Sequence, residues 1–208
     1  MGTAYAPDEV EKIAKIASEN ALTLIHDITY RDFSLDHCLA TNFYKENTVL
    51  AYSFSKTMGF AGMRLGALIA PKKMMDNFRP FDTNVLSANA VAQAGAKKAL
   101  EIKSKWLPDM LDTANANQEV IKKAVDKVEG AFIPVFPSRT NMLVIDISGT
   151  GKKPDWIQEQ MLKRHGVFVR GGGYVSKGFG ERFLRVSFTV PREGAQRFYH
   201  GFLDVMKS

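Results

Sequence analysis

The segment from Ser53 to Gly66 is the part of the sequence in which residues able to do chemistry are most concentrated. It reads S-F-S-K-T-M-G-F-A-G-M-R-L-G, so Lys56 follows an apolar run and is itself followed by three glycines and Arg64. An amine that is shielded from water near other cations loses its proton readily and can attack an aldehyde to form an imine. The guanidinium of Arg64 offers a planar set of donors that suits a phosphate. The segment therefore predicts a covalent lysine site beside an anion site.

The glycines of this segment, Gly59, Gly62 and Gly66, permit tight backbone paths along which a bulky ligand can approach the main chain. A glycine-rich turn with a solvated lysine would explain the same spacing, and the spacing alone does not decide between the two interpretations. A nucleotide-binding phosphate loop is excluded, because the order G-x-x-x-x-G-K-[ST] is absent.

A second motif, Asp27-Ile-Thr-Tyr30, stands where a short apolar strand is expected to end. A carboxylate at Asp27 can pair with a protonated ring nitrogen, and the phenol of Tyr30 can reach another polar atom of the same ring. The alternative is structural. Aspartate after a strand is often a turn former, and Tyr30 with Phe33 is a plausible packing pair.

Together, D-x-x-Y and S-x-S-K-x-x-G-x-x-G-x-R-x-G resemble the class I/II aminotransferases, which are fold-type-I enzymes that use pyridoxal 5′-phosphate (PLP). The resemblance makes Lys56 the catalytic lysine that forms the aldimine with PLP and then moves the α-proton. It makes Asp27 the carboxylate that keeps the pyridine nitrogen protonated and Tyr30 the phenol that bonds the 3-oxygen. It makes Ser53 and Arg64 phosphate ligands.

Near the end of the chain, Phe183-Leu-Arg-Val-Ser-Phe188 resembles the family's last strand, whose arginine binds the substrate α-carboxylate. The resemblance assigns that role to Arg185, whereas an arginine on an edge strand is the structural alternative. The preceding loop has Gly171 where the family commonly has proline. Arg170 either helps to bind a side-chain carboxylate of the substrate or faces the solvent.

The resemblance covers the C-terminal half of such an enzyme, so we expect the chain to begin in the middle of the fold. It implies transfer of an amino group from an amino acid to a 2-oxo acid, within amino acid biosynthesis and metabolism, in a homodimer. For the chain alone we expect weak PLP binding and reduced or no activity, with an exposed sheet edge that favours self-association. A catalytically silent interaction or scaffold fragment and a fold-type-I PLP lyase remain alternatives.

The elements that must position these residues follow an α/β pattern: part of a large domain with a mainly parallel sheet and helices, then a small α+β domain. The predicted domain bounds are residues 1–108 and 131–208, with a linking helix over 109–130. One predicted helix begins near residue 8, and the others cover residues 84–103, 109–129, 155–164 and the C-terminus. The predicted strands cover residues 22–28, 49–54, 65–70, 142–147, 167–169 and 183–188.

Composition narrows the class of protein further. The 208 residues are 45% apolar and 24% charged, with a net charge of +6 scattered along the chain, which does not favour disorder or dedicated nucleic-acid binding. The single cysteine, Cys38, excludes an internal disulfide framework, and the four histidines share no metal-ligand spacing, so no metal is assigned. No apolar run is long enough to span a bilayer and no secretory signal is present, so we expect a soluble, cytoplasmic protein that does not bind membranes.

Overall fold

The chain forms two compact units in the computed structural model, which describes residues 2–34, 36–82 and 87–208. One unit comprises residues 4–105, and the other comprises residues 106–208 together with residues 1–3. Across the described ranges, no helix combines the length and the apolar character that a membrane span requires. The domain bounds inferred from the sequence stay a prediction.

The first unit is an α/β arrangement around a sheet of three strands in the order β1-β2-β3. Strand β1 runs parallel to β2, and β3 runs antiparallel to β2. In the residues described, only one of the two strand pairs is therefore parallel. The elements of this unit are α1 (Pro7–Glu19), β1 (Leu24–Asp27), β2 (Thr48–Ser53), β3 (Gly66–Ile69), α2 (Lys72–Phe78) and α3 (Ala90–Glu101).

Helix α1 begins one residue before its predicted start. Pro7 occupies the first helical position, where its missing N–H has no helical partner to lose. The Glu9 carboxylate accepts a hydrogen bond from the Ala6 N–H at 2.7 Å and places negative charge at the positive end of the helix dipole. The sequence therefore specifies the beginning of this helix locally.

Helix α3 covers only part of the predicted span 84–103, of which residues 84–86 lie outside the described residues. The helix begins at Ala90 because the Asn89 side chain caps it, accepting a hydrogen bond from the Ala92 N–H at 3.0 Å. Ala92 and Ala96 are buried against Phe54, which follows β2. Small residues on this face of α3 therefore pack closely on the chain segment that leads into the lysine motif.

Helix α4 (Lys103–Val125) differs from the predicted helix over 109–129 at both ends. Pro108 is the sixth residue of the helix, where it removes the main-chain hydrogen bond to the Ser104 carbonyl, and the helix continues past it. At the other end, tighter turns follow Val125, where the Val128 N–H bonds the Val125 carbonyl. Gly130 then takes a positive φ of 80°.

The second unit has an antiparallel sheet of three strands in the order β4-β6-β5, with helices packed on one face. This is the predicted α+β organisation. Its further elements are β4 (Met142–Asp146), α5 (Pro154–His165), β5 (Arg170–Gly171), β6 (Phe183–Ser187) and α6 (Arg192–Lys207). The core lies between the sheet and the helices. Its fully buried members include Leu143, Ile145, Ile157, Met161, Leu184, Phe202 and Val205.

The predicted strand over residues 167–169 is wrong, because the pairing with β6 begins only at Arg170. Gly166 ends α5 in the left-handed conformation, and the Val167 N–H bonds back to the Met161 carbonyl. This is the hydrogen-bond pattern of a helix C-cap. The apolar residues after Gly166 therefore complete the helix stop before the chain reaches the sheet.

Candidate functional site

The polar ends of β1 and β2 meet at one end of the first sheet, because parallel strands finish on the same side. Asp27 is the last residue of β1 and is in register with Ala51 of β2. Ser53 is the last residue of β2 and pairs with Gly66, the first residue of β3. The segment that carries Lys56 and Arg64 thus leaves the sheet and returns to it at the same end as Asp27.

Lys56 lies in the turn that follows β2 and is half-buried. Its Nζ atom is 5.8 Å from the centroid of the Tyr30 ring, which lies just beyond the end of β1. An ammonium group at this distance from an aromatic ring is within the range of a cation–π contact. The structure therefore brings together the lysine and the phenol of two motifs that are separate in the sequence.

The Asp27 carboxylate is oriented by Thr29, a residue that sequence reasoning missed. Asp27 Oδ1 accepts hydrogen bonds from the Thr29 N–H at 2.9 Å and from the Thr29 hydroxyl at 2.6 Å. This is the turn that aspartate commonly forms after a strand. Within the part of the chain that is described, Asp27 Oδ2 has no hydrogen-bond partner, so one oxygen is held by the turn and the other is able to accept a donor.

The candidate anion ligands lie on either side of the lysine turn. Ser53 Oγ accepts a hydrogen bond from the Ser55 N–H at 3.2 Å. Arg64 ends a short 3₁₀ turn with a left-handed backbone, φ 51° and ψ 45°, and its guanidinium donates to the Ala61 carbonyl at 2.8 Å. A left-handed arginine is conformationally costly, and such residues are concentrated at functional sites.

Two of the three glycines in this segment have a structural reason to be glycine. Gly59 has a positive φ of 69°, and a Cβ on Gly66 would lie 3.1 Å from the Tyr52 carbonyl oxygen. At Gly62 a Cβ would meet no described atom within 4 Å. The packing of the described chain therefore does not account for Gly62, and the space beside it is open.

A buried polar cluster holds the chain immediately after Tyr30. The Asp32 carboxylate forms an ion pair with Lys103 Nζ at 2.5 Å and accepts a hydrogen bond from the Tyr52 hydroxyl at 3.0 Å. Burial, followed by the charge and the hydrogen bond of Asp32, raises the pKa of Tyr52 well above its ordinary range. No local sequence pattern signals this cluster, because Asp32 and Lys103 are far apart along the chain.

His26 serves the sheet and its connections. Its Nδ1 accepts a hydrogen bond from the Ala40 N–H at 3.3 Å, and burial lowers its pKa. It precedes Asp27 on β1, so the two side chains emerge on opposite faces of the sheet. In the described parts of the chain, no three histidine, cysteine, aspartate or glutamate side chains are arranged to hold a metal ion.

Arg185 belongs to the second unit and lies at the centre of β6, half-buried. Its register partners are Val144 on β4 and Arg170 on β5. Strand β6 is therefore the central strand of its sheet, and the structural alternative of an edge-strand arginine is wrong for Arg185.

Comparison with known proteins connects these features. The family model for aminotransferase class I and II matches residues 1–202. The chain belongs to this family. Among the aminotransferases that it resembles is an aspartate aminotransferase of Pyrococcus horikoshii, 26% identical over 198 residues, a match that covers 92% of this chain and 50% of that protein.

Two further comparisons agree with the family. A histidinol-phosphate aminotransferase of Bdellovibrio bacteriovorus is 30% identical, and the match covers 81% of this chain and 44% of that protein. The crystal structure of a PLP-dependent aminotransferase from Streptococcus suis superposes with a TM-score of 0.87 at 20% identity, over 100% of this chain and 54% of the other. The fold is thus that of the aminotransferases, and the chain spans about half the length of these relatives.

Proposed function

We propose that the first unit carries the cofactor-binding residues of a PLP-dependent aminotransferase, with Lys56 as the catalytic residue. The observation that supports this most is the meeting of Lys56, Tyr30 and Asp27 at one end of the sheet. When bound, PLP supplies an aldehyde that condenses with amines and a ring that accepts electrons from the substrate Cα.

The described residues have the donors and acceptors that PLP requires. Lys56 Nζ is an amine for the aldehyde, and Asp27 Oδ2 can accept the ring N–H while Thr29 fixes the other carboxylate oxygen. The Tyr30 phenol would bond the 3-oxygen, and Ser53 and Arg64 would bind the phosphate. The open space beside Gly62 is where the backbone permits close approach.

The chemistry of the chain's own residues is proton movement at Lys56 and charge stabilisation at Asp27. Lys56 Nζ would accept the proton from the substrate Cα and would release it at a different carbon, the former aldehyde carbon, as transfer of the amino group requires. The Asp27 carboxylate stabilises a protonated ring nitrogen throughout. Arg185 would bind the α-carboxylate of the amino acid or the 2-oxo acid in a bidentate pair.

This chain spans about half the length of its relatives, so we propose that its own activity is low or absent. That a full-length enzyme of this family is a homodimer stays a prediction from the resemblance. The cytoplasmic location and the role in amino acid biosynthesis stay predictions from the sequence.

The test is reduction of the PLP-treated chain with borohydride, followed by peptide mass mapping. We expect a phosphopyridoxyl group on Lys56, loss of the label and of the yellow colour in Lys56→Ala, and retention of both in Lys73→Ala, which removes an exposed lysine from α2. Equal labelling of the two variants would refute the proposal.

A second candidate function is an interaction fragment without catalysis. It is favoured by exposed apolar side chains on the outer strands of the sheet, Ile25 on β1 at 69% and Leu68 on β3 at 54%. Concentration-dependent association without any label at Lys56 would support it.

If Lys56 is labelled, product analysis distinguishes transfer, which yields a 2-oxo acid and an aminated cofactor, from lyase chemistry, which yields ammonia or carbon dioxide.

A further inference from the structure

A cleft with a volume of about 240 Å³ lies in the second unit, where three segments of the chain meet. The segments are the turns after α4, the loop before α5 and the last turns of α6. None of the residues that line the cleft belongs to the motifs of the candidate site. Pockets for drug-sized ligands usually measure about 300–1,000 Å³, so this cleft has room for a smaller molecule.

One side of the cleft is apolar. It is formed by Val128 after α4 and by Leu203 and Met206 on α6, and all three side chains are half-buried. Val128 and Met206 also pack against the core of this unit, so this side of the cleft is an edge of the core that remains in contact with solvent. Removal of such a surface from water is favourable, and a ligand with an apolar chain would remove it.

The remainder of the cleft is positively charged. Lys127, Lys152 and Lys207 line it together with one carboxylate, Glu129, which gives the lining a net charge of +2. Among the residues that the structure describes, no carboxylate forms an ion pair with any of these three lysines, whereas the nearby Lys122 has such a partner at 2.6 Å. The cleft therefore has positive charge that the described residues do not neutralise.

Two of the lysines are held by aromatic side chains. Lys152 Nζ is 4.6 Å from the centroid of the Trp156 ring, which is within the range of a cation–π contact. Lys127 Nζ donates a hydrogen bond to the Tyr199 hydroxyl. Neither contact neutralises the charge, and an ammonium group has three donors, so each lysine retains N–H groups for an anion. Side chains that are partly fixed in advance also lose less entropy when a ligand binds.

We propose that this cleft is a binding site for a small organic anion, with a carboxylate or phosphate head group on a short apolar chain. The lysines bind the head group, and the apolar side of the cleft contacts the chain. Inorganic phosphate alone would leave the apolar side exposed, and a neutral hydrocarbon would leave the lysines without a partner. The site is separate from the proposed function and needs neither PLP nor Lys56.

The test is an NMR titration of the 208-residue chain with hexanoate, hexyl phosphate, acetate and 1-hexanol. Acetate has a charge without the chain, and 1-hexanol has the chain without a charge. We expect hexanoate or hexyl phosphate to bind about tenfold or more tightly than both, because buried methylene groups and charged hydrogen bonds each add to the affinity. The backbone amides that shift should include those of Val128, Lys152 and Leu203. The tighter of the two anions identifies the head group.

Two double variants assign the affinity to the cleft. Lys127→Met with Lys152→Met keeps most of the side-chain volume and leaves a lining without net charge, so the preference for the anion over 1-hexanol should fall about tenfold. Lys123→Met with Lys153→Met is the matched control, because it removes two exposed lysines that do not line the cleft. The control should bind the anion within about twofold of the wild-type affinity, since salt screens exposed charges.

Three results would overturn the inference: affinities for hexanoate and hexyl phosphate that do not exceed those for acetate and 1-hexanol, shifted amides that lie outside the cleft, or equal losses of affinity in the two double variants. Equal losses would show that the net charge of the chain, and not this cleft, attracts the anion. Labelling of Lys56 by PLP and borohydride tests the proposed function separately, so each result is independent of the other.

Discussion

The buried pair of Asp32 and Lys103 gives the sharpest test of how the cofactor motifs are held. Lys103→Met removes the cation and keeps most of the side-chain volume. The Asp32 side chain is 3% exposed and that of Lys103 is 26% exposed. The variant therefore leaves a buried carboxylate whose remaining contacts are the Tyr52 hydroxyl and, at 3.7 Å, Arg31 Nε.

Breaking a buried ion pair from one side costs about 3–5 kcal/mol. The partial exposure of Lys103 and the retained hydrogen bond from Tyr52 both reduce this cost, so we expect a loss of about 2–3 kcal/mol in the free energy of unfolding. Lys98→Met is the matched control. Lys98 pairs with Glu101 at 3.4 Å with side chains that are 70% and 50% exposed, and the loss there should be below about 0.5 kcal/mol.

Amide hydrogen exchange at Ile28 measures this loss within residues 4–105, because the Ile28 N–H bonds the Ala51 carbonyl between β1 and β2. An amide that exchanges by unfolding of this unit should exchange about 30- to 150-fold faster in Lys103→Met and within about threefold of the wild-type rate in Lys98→Met. Similar rates in the two variants would show that Asp32 does not depend on Lys103, and the reasoning would be wrong.

Three further predictions concern packing, backbone conformation and pH. Phe202→Ala, at a fully buried position of α6, should cost about 3–5 kcal/mol in urea denaturation, whereas Phe168→Ala, at a 58% exposed position, should cost below about 0.5 kcal/mol. Gly166→Ala should lower stability by about 1 kcal/mol and Gly166→Asn by less, measured from thermal midpoints, because φ is 63° there. Burial lowers the pKa of His26 in the folded chain, so the unfolded chain binds the proton first as the pH falls below about 6.5, and stability decreases. In His26→Asn, the urea midpoint should therefore depend less on pH between about pH 5 and 7 than in the wild type.

The positions of most helices and strands could be predicted because each carries a local signal. Apolar runs of strand length mark β1, β2 and β4, and helical spacing of Ala195, Phe198 and Phe202 marks α6. The errors lie at element boundaries, where a helix cap decides which residues belong to the element. β5 lies later than its apolar run because Gly166 and the α5 cap take up the residues before it.

The motif residues of the candidate site could be predicted from the sequence, but the residues that orient them could not. Lys56 and Asp27 carry recognisable spacing, and the structure places both at one end of the sheet. The roles of Thr29 and Lys103 could not be predicted, because a threonine two residues after an aspartate and a lysine at a helix start are both common. Their roles depend on the turn and on a partner elsewhere in the chain. Assignment of the individual site residues to PLP stays a prediction.

The ladder contact between Ser53 and Gly66 closes the intervening segment into a loop tethered at both ends. Folding therefore removes much of the conformational freedom of Lys56 and Arg64 before any ligand arrives, and less ordering entropy opposes binding. Substitutions in this loop that raise the stability of the fold should accordingly lower the affinity for the ligand. Arg64 is an example, because glycine at this left-handed position would relieve the backbone strain but would remove the guanidinium.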